Sequence, residues 1–284
     1  HKGRSGGAVV RREGAAVGSS NFVWALAQSV PLFLIASLTG GVETAWFAGA
    51  ARIVASLGQF GNLYHFNLYP AVSRAHASGD GTLGRLQSHS MRATAWGGVF
   101  IALVLTVFAL PLVKLTLGGK LLAAAPLLQV MAWILPIALW SGHSRNALAA
   151  AGEQKKVLYS QLIGLAATVA ACVGLGHVYG GIGYAAGSLA GAVVVWAVSH
   201  WFARTQGCVP PPFRLTVLPL ALAAVIVLLV EHQSFGFWAS ALVVSAFPLL
   251  APVLDRALLG DIFELGKARQ REESVQPEPG GQLS

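Results

Sequence analysis

Apolar stretches without a charged residue make up most of the chain. They cover residues 14–42, 53–73, 93–113, 121–144, 157–203, 215–230 and 232–254. A transmembrane helix needs about 20 predominantly apolar residues to cross ~30 Å of hydrocarbon. Each stretch therefore predicts one span, except 157–203, which is long enough for two. The pattern predicts an all-α fold, a polytopic membrane helix bundle of about eight transmembrane helices.

The longest apolar stretch carries glycines that indicate its shape. A glycine-containing run at 176–181 predicts the turn between its two spans. Beyond the turn, Gly183, Gly187 and Gly191 recur every four residues on one helix face. Such a series lets a neighbouring backbone approach closely within a membrane. We therefore predict that the sixth span packs tightly against another helix through this face.

Charged residues are few and unevenly placed. Hydrophobic residues make up 55% of the 284 residues and charged ones only 11%, which is too apolar for a soluble domain. In an eight-span bundle, sixteen Lys and Arg residues fall on one side, and two, Lys114 and Lys120, on the other. Because Lys and Arg are retained inside during insertion, both termini are predicted to be cytoplasmic.

The net charge of +8 is explained by basic residues on the cytoplasmic side, which orient the chain and contact anionic lipid. No nucleic-acid partner is therefore predicted. Basic residues of the predicted inner loops, among them Arg145, could also capture anionic headgroups. Retention of positive charge inside the cell explains these residues without that role.

The pattern divides the chain into five segments. A cytoplasmic basic segment, 1–17, precedes a six-helix lobe at 18–203. A Pro-rich cytoplasmic linker at 204–214 leads to an additional transmembrane helix pair at 215–254. The remainder, 255–284, is predicted to be a cytoplasmic tail that begins with an amphipathic helix on the inner membrane surface and ends in a disordered region.

The second predicted span, 44–73, is more polar than the others. At 100° per residue, four polar side chains share one face of it, namely Arg52, Ser56, Gln59 and Asn67, and Asn62 lies at the edge of this face. A charged side chain near the bilayer centre costs several kcal/mol, so this face should turn toward a cavity or another helix. The alternative is that Arg52, ~12 Å from the outer end by helical rise, extends to the outer interface.

Acidic residues are absent from the predicted spans. A cation-coupled drug exporter usually needs a buried carboxylate. An inward-facing Arg with amide neighbours instead favours an anionic ligand that bears sugar or phosphate, because a guanidinium binds phosphate bidentately. The outer loops are too short for the catalytic acids of a membrane glycosyltransferase or polymerase. We therefore predict a transporter rather than an enzyme.

Cysteine and histidine spacing predicts neither a disulfide nor a metal site. Cys172 lies within a span and Cys208 in a cytoplasmic loop, where thiols stay reduced. The eight histidines lie singly, without the spacing of zinc or iron ligands. No metal and no other cofactor is therefore predicted.

Four sequence motifs occur in a fixed order. They are VETAWFAGAARI at 42–53 with LYPAVSR at 68–74, LGGK at 117–120 with the alanines that follow, NALAAAGE at 146–153, and YGGIGYAAG at 179–187. Together they resemble motifs of the carboxy-terminal lobe of polysaccharide and O-antigen flippases, in the multidrug/oligosaccharidyl-lipid/polysaccharide exporter superfamily. Trp46 and Phe47 depart from this pattern, since the family often has Gly and Tyr there.

The resemblance, which covers residues 20–203, implies one lobe of a two-lobe transporter. Some family members carry two extra carboxy-terminal helices, which would match 215–254. The implied function is translocation of a lipid-linked oligosaccharide, such as a polyprenyl-diphosphate saccharide, for polysaccharide biosynthesis. The implied mechanism is alternating access, and the implied location is the bacterial cytoplasmic (inner) membrane. The residues expected to bind the substrate are Arg52, Gln59, Asn67, Ser56, Asn62 and, on the first span, Gln28.

The expected partners are the lipid-linked saccharide, membrane lipids, and an amino-terminal lobe of the same transporter or a second copy of this chain. We expect an upstream segment to supply that amino-terminal lobe with six further spans. Two alternatives remain open: a cation-coupled multidrug antiporter of the same superfamily, and a non-transporting membrane scaffold of polysaccharide assembly.

Overall fold

The computed structural model describes residues 22–79, 81–233 and 235–261, and these residues form an all-α helical bundle, as predicted. The predicted basic segment 1–17 and the tail beyond Asp261 lie outside the described residues. The helices are α1 (Phe22–Leu38), α2 (Gly41–Ser78), α3 (Thr82–Val107), α4 (Ala109–Leu117), α5 (Ala125–Met131), α6 (Ile134–Ala150), α7 (Gln154–Thr205), α8 (Phe213–Gln233) and α9 (Phe237–Leu254). A turn of 3₁₀ helix, Gly119–Ala124, joins α4 to α5.

Five helical segments of the described chain are long and apolar enough to cross a membrane. They are Thr82–Val107, Gly119–Ala150, Gln154–Thr205, Leu215–Gln233 and Phe237–Leu254. Helix α1 is apolar but shorter. Helix α2 has 38 residues, about 57 Å by helical rise, but its polar residues keep it out of this group. The chain is thus a multi-pass membrane protein.

Helix α7 is a helical hairpin, with arms 154–179 and 181–205. Gly180, with φ of 57° and ψ of −137°, reverses the chain in a conformation that disfavours a side chain. A Cβ on Gly187 would lie 2.6 Å from the backbone nitrogen of Cys172, and Gly183 and Gly191 are equally crowded by the first arm. The predicted turn and the predicted close packing of the sixth span are both confirmed.

Glu43 links α2 to this hairpin. It lies in the first turn of α2, at the predicted outer end of this helix. Its Oε2 accepts a hydrogen bond of 3.0 Å from the backbone N–H of Gly181. This bond satisfies a donor at the start of the second arm, where the helix has no acceptor of its own.

The bundle has two main apolar cores. One lies among α1, α2, α4, α5 and α7, around Phe47, Leu128 and Tyr184. The other lies among α3, α6, α8 and α9, around Trp96 and Phe247. Because lipid is as apolar as these side chains, van der Waals packing and polar contacts hold the helices together.

Three side chains of α3 bind two aspartates that follow α9. Asp255 lies 3.2 Å from Arg92 Nε and accepts a 3.2 Å hydrogen bond from Trp96 Nε1. Asp261, 5% exposed, contacts both Arg92 and His89. The first residues of the predicted tail, 255–261, therefore pack on α3, and we call this cluster the aspartate clamp.

These contacts agree with the prediction that the chain crosses the membrane eight times. Glu43 and Gly181 belong to the predicted outer side, whereas Arg92 and Asp261 belong to the predicted inner side. The two residues of each pair lie at the same end of the bundle. This is expected, because an even number of predicted spans separates them in the sequence. Both cysteines are free and buried in this structure.

Candidate functional site

The polar residues of α2 lie on the outside of the described bundle. Arg52, Ser56, Gln59, Asn62 and Asn67 are all exposed, and so is Gln28 on α1. Ser56 Oγ donates to the Arg52 carbonyl at 2.8 Å, and Asn62 Nδ2 donates to Gln59 Oε1 at 3.4 Å.

Large apolar side chains lie beside this polar face. Phe60, Leu63 and Phe66 are 71%, 57% and 77% exposed. Helix α2 therefore presents a surface of mixed character, in contrast to the apolar surfaces of α8 and α9. Polar groups are expensive in hydrocarbon, so a surface of this kind favours contact with protein or with a water-filled cavity.

A groove opens between α2, α6 and the first arm of α7. Its volume is about 560 Å³, within the usual range of ~300–1,000 Å³ for ligand pockets. It brings together two of the six predicted site residues, Asn62 and Asn67, whereas the other four lie outside its wall. The remaining lining residues are His65, Phe66, Tyr69, Pro70, Gly142, Arg145, Asn146, Ala149, Gln154, Val157 and Gln161.

The wall of the groove is held by bonds between α2 and α6. Asn146 Nδ2 donates to the His65 carbonyl at 3.0 Å, and His65 Nε2 lies 3.0 Å from the Leu139 carbonyl. Gly142 makes this approach possible, because a Cβ there would overlap the His65 ring. The two helices are thus fixed at close range where the groove begins.

A buried polar cluster lies behind the groove. The rings of His65 and His143 meet edge to face with centroids 4.8 Å apart, and the Tyr64 ring lies 5.3 Å from His65. His143 Nε2 lies 2.9 Å from Thr94 Oγ1, and the Tyr64 hydroxyl contacts Ser90. The cluster therefore joins α2, α3 and α6.

Comparisons with known proteins give evidence about the fold. No family model matches the sequence, and no curated protein matches it. A solved structure of the lipid II flippase MurJ, in an inward closed conformation, superposes with a TM-score of 0.66 at 13% identity. The chain has the fold of a flippase-type transporter. At that level of identity, the similarity is evidence for the fold alone.

The matched region covers 84% of this chain and 53% of the MurJ chain, so this chain spans about half the length of that flippase. A second lobe, which the sequence analysis predicts, would cover the exposed face of α2. The resemblance to the carboxy-terminal lobe of O-antigen flippases remains a prediction, as do the six substrate-binding residues.

Sequence reasoning missed the groove residues contributed by α6 and α7. Arg145 was counted with the inner loops because the charge-free stretch ends at residue 144, but α6 continues to Ala150. Gln161 carried no signal, since a single amide in an apolar span has no periodicity. His65 was given no role, although it contacts α6 and lines the groove.

Proposed function

We propose that this flippase-type chain takes part in translocating a lipid-linked oligosaccharide across the bacterial cytoplasmic membrane, by alternating access. The observation that supports this proposal is the exposed polar face of α2, which includes Arg52, in a fold similar to that of a lipid II flippase. The lobe, 18–203, would place this face toward an amino-terminal lobe or a second copy. The helix pair at 215–254 would pack outside it, against α3.

In this mechanism, Arg52 attracts the diphosphate of the carrier lipid, because a guanidinium pairs with phosphate and remains charged. Gln59, Asn67 and Gln28 contribute hydrogen bonds to phosphate or sugar oxygens. Rocking of two lobes about this face would expose it alternately to the two sides of the membrane. Both termini would face the cytoplasm.

The test uses the complete transporter in phosphatidylcholine vesicles with a fluorescent polyprenyl-diphosphate saccharide. A charge-assisted hydrogen bond contributes about 1.5–3 kcal/mol, so Arg52→Ala should lower the initial transport rate roughly 10- to 100-fold. Arg85→Ala is the matched control, because Arg85 is exposed on the predicted inner side. Its rate should stay within about twofold of the wild type.

Unchanged transport by Arg52→Ala at normal protein levels would exclude the proposed role of Arg52. Proton- or sodium-driven efflux of cationic drugs, with no saccharide transport, would support the antiporter instead. Polysaccharide assembly that needs the protein but not Arg52, without transport of either substrate, would indicate a scaffold.

A further inference from the structure

Arg145, a half-buried residue, lines the groove without a counter-ion among the described residues. Its Nε is buried and has no hydrogen-bond partner in the part of the chain that the structure describes. Glu153, the acid in the turn that follows α6, instead pairs with Lys156 at 3.0 Å. A charge removed from water is unfavourable unless an opposite charge and hydrogen bonds compensate it.

Other basic residues on the predicted inner side are placed differently. Arg85, Lys155 and Arg204 are exposed, so water solvates them, and Arg92 binds two aspartates of the clamp. Retention of positive charge inside the cell explains exposed residues but requires no burial. Arg145 therefore needs a separate explanation, namely an anion that enters the groove.

The groove also supplies hydrogen-bonding amides. Gln161 is 5% exposed, lines the groove, and its Oε1 has no partner among the described residues. Rotation about its terminal torsion, which is broad and roughly two-fold, can present either the oxygen or the NH₂ group. Asn67 and Gln154 carry further amides in the same wall. A guanidinium with several amides suits phosphate oxygens and sugar hydroxyls.

We propose that this groove is a second binding site for the phosphate group of a lipid-linked saccharide, distinct from the site at Arg52 but adjoining the same face of α2 through Asn62 and Asn67. Arg145 binds phosphate oxygens, and the amides of Gln154 and Gln161 bind the remaining oxygens or an adjacent sugar hydroxyl. Phe66 and Tyr69 border the opening and give the lipid or sugar an apolar surface. The assignment of a lipid-linked ligand rests on the proposed function, whereas anion binding at Arg145 does not.

This site is expected to act before translocation. The groove lies at the end of the bundle where α2 ends, α6 ends and α7 begins, the predicted cytoplasmic end. Arg52 itself lies toward the other end of α2, ten residues before Asn62 and fifteen before Asn67 in the groove wall. A headgroup held at Arg145 would thus be captured on the cytoplasmic side and then passed to Arg52.

The test measures binding to the full chain in phosphatidylcholine nanodiscs, which carry no net anionic charge. The probes are inorganic pyrophosphate and farnesyl diphosphate, titrated by calorimetry. Arg145→Gln should weaken binding of both probes at least about 10-fold, or ~1.4 kcal/mol. Arg85→Gln, the exposed control, should change Kd less than twofold. Arg145→Lys should restore part of the affinity, because it keeps the charge but not the bidentate geometry.

Thermal unfolding separates a binding role from a structural one. Without ligand, Arg145→Gln should unfold at the wild-type temperature or higher, because it removes an unpaired charge. Pyrophosphate should raise the unfolding temperature of the wild type but not of Arg145→Gln. A lower unfolding temperature for the ligand-free variant would overturn the proposal, as would equal effects of the Arg145→Gln and Arg85→Gln substitutions on Kd.

The two probes distinguish a lipid headgroup from a free anion. Farnesyl diphosphate should bind at least about 10-fold more tightly than pyrophosphate, and equal affinities would overturn the lipid assignment. Wild-type binding of both probes at Arg145 without saccharide transport would refute the proposed function but not the anion site. Transport that depends on Arg52, with normal probe binding by Arg145→Gln, would refute the site but not the function.

Discussion

Breaking the aspartate clamp should loosen the attachment of α8 and α9 to the rest of the bundle. Arg92 is the shared partner of Asp255 and Asp261, whose side chains are 18% and 7% exposed. The substitution Arg92→Gln leaves both carboxylates without their cation while keeping a polar side chain of similar length. The apolar contacts of α8 and α9 with α3 remain, so the change tests the polar contacts alone.

The magnitude follows from burial and from the remaining partners. Removing one member of a buried ion pair costs about 3–5 kcal/mol. Asp261 keeps its contact with His89 and Asp255 keeps its bond to Trp96, so we expect the lower part of this range or less, about 2–3 kcal/mol. At roughly 2–4 °C per kcal/mol for a chain of this size, the unfolding temperature should fall by about 4–12 °C.

Thermal unfolding in detergent, followed by tryptophan fluorescence, measures this effect. Arg256→Gln is the matched control, because Arg256 is exposed and adjoins the clamp in sequence. A double-mutant cycle with Asp261→Asn should give a coupling energy of about 1–3 kcal/mol. Equal shifts for Arg92→Gln and Arg256→Gln, or a coupling energy within about 0.5 kcal/mol of zero, would refute the reasoning.

Three further predictions concern packing, capping and thiol chemistry. Gly142→Ala should destabilise the bundle by about 1–3 kcal/mol, because its Cβ meets an imidazole of α2, whereas Gly97→Ala, with open space around it, should not; unfolding temperatures decide. Glu43→Ala should cost about 1–2 kcal/mol by removing the acceptor of the Gly181 N–H, and Glu43→Gln, which keeps an acceptor, should cost less. Burial raises the pKa of the Cys208 thiol above its ordinary value of 9.0. In a Cys172→Ser variant, the rate of Cys208 alkylation measured against pH should therefore reach half its maximum at a pH above 9.0, and a midpoint at or below pH 9.0 would contradict this.

The helices could be predicted because membrane spans leave a strong signal in sequence. Long apolar stretches predicted α3, α6, α8 and α9. The hairpin in α7 was predictable as well, since glycine within a long apolar stretch indicates a turn between two spans, and Gly180 occupies such a position. The glycine series beyond it indicated the packed face for the same reason: only small residues permit that approach.

The groove could not be predicted, because its residues come from helices distant in sequence. Asn67 and Arg145 belong to α2 and α6, and no periodic pattern links them. Helix α6 also continues to Ala150, beyond the end of its charge-free stretch at residue 144. An Arg such as Arg145 can belong to the last turns of a membrane helix without facing lipid. The contact of His65 with α6 depends on Gly142, whose role appears only once the two helices are packed.

Helix α2 shows how a weak hydropathy signal can carry functional information. A helix of 38 residues is long enough to cross the bilayer, but its polar residues lower its hydropathy below that of the five apolar segments. Those residues are exposed on the surface of the described bundle, and Arg52, Ser56 and Gln59 lie outside the groove. Exposed polar side chains on a membrane helix favour contact with protein or water over contact with hydrocarbon. We therefore propose that a second lobe and a charged ligand meet at α2, because a guanidinium is unfavourable on a helix face surrounded by lipid.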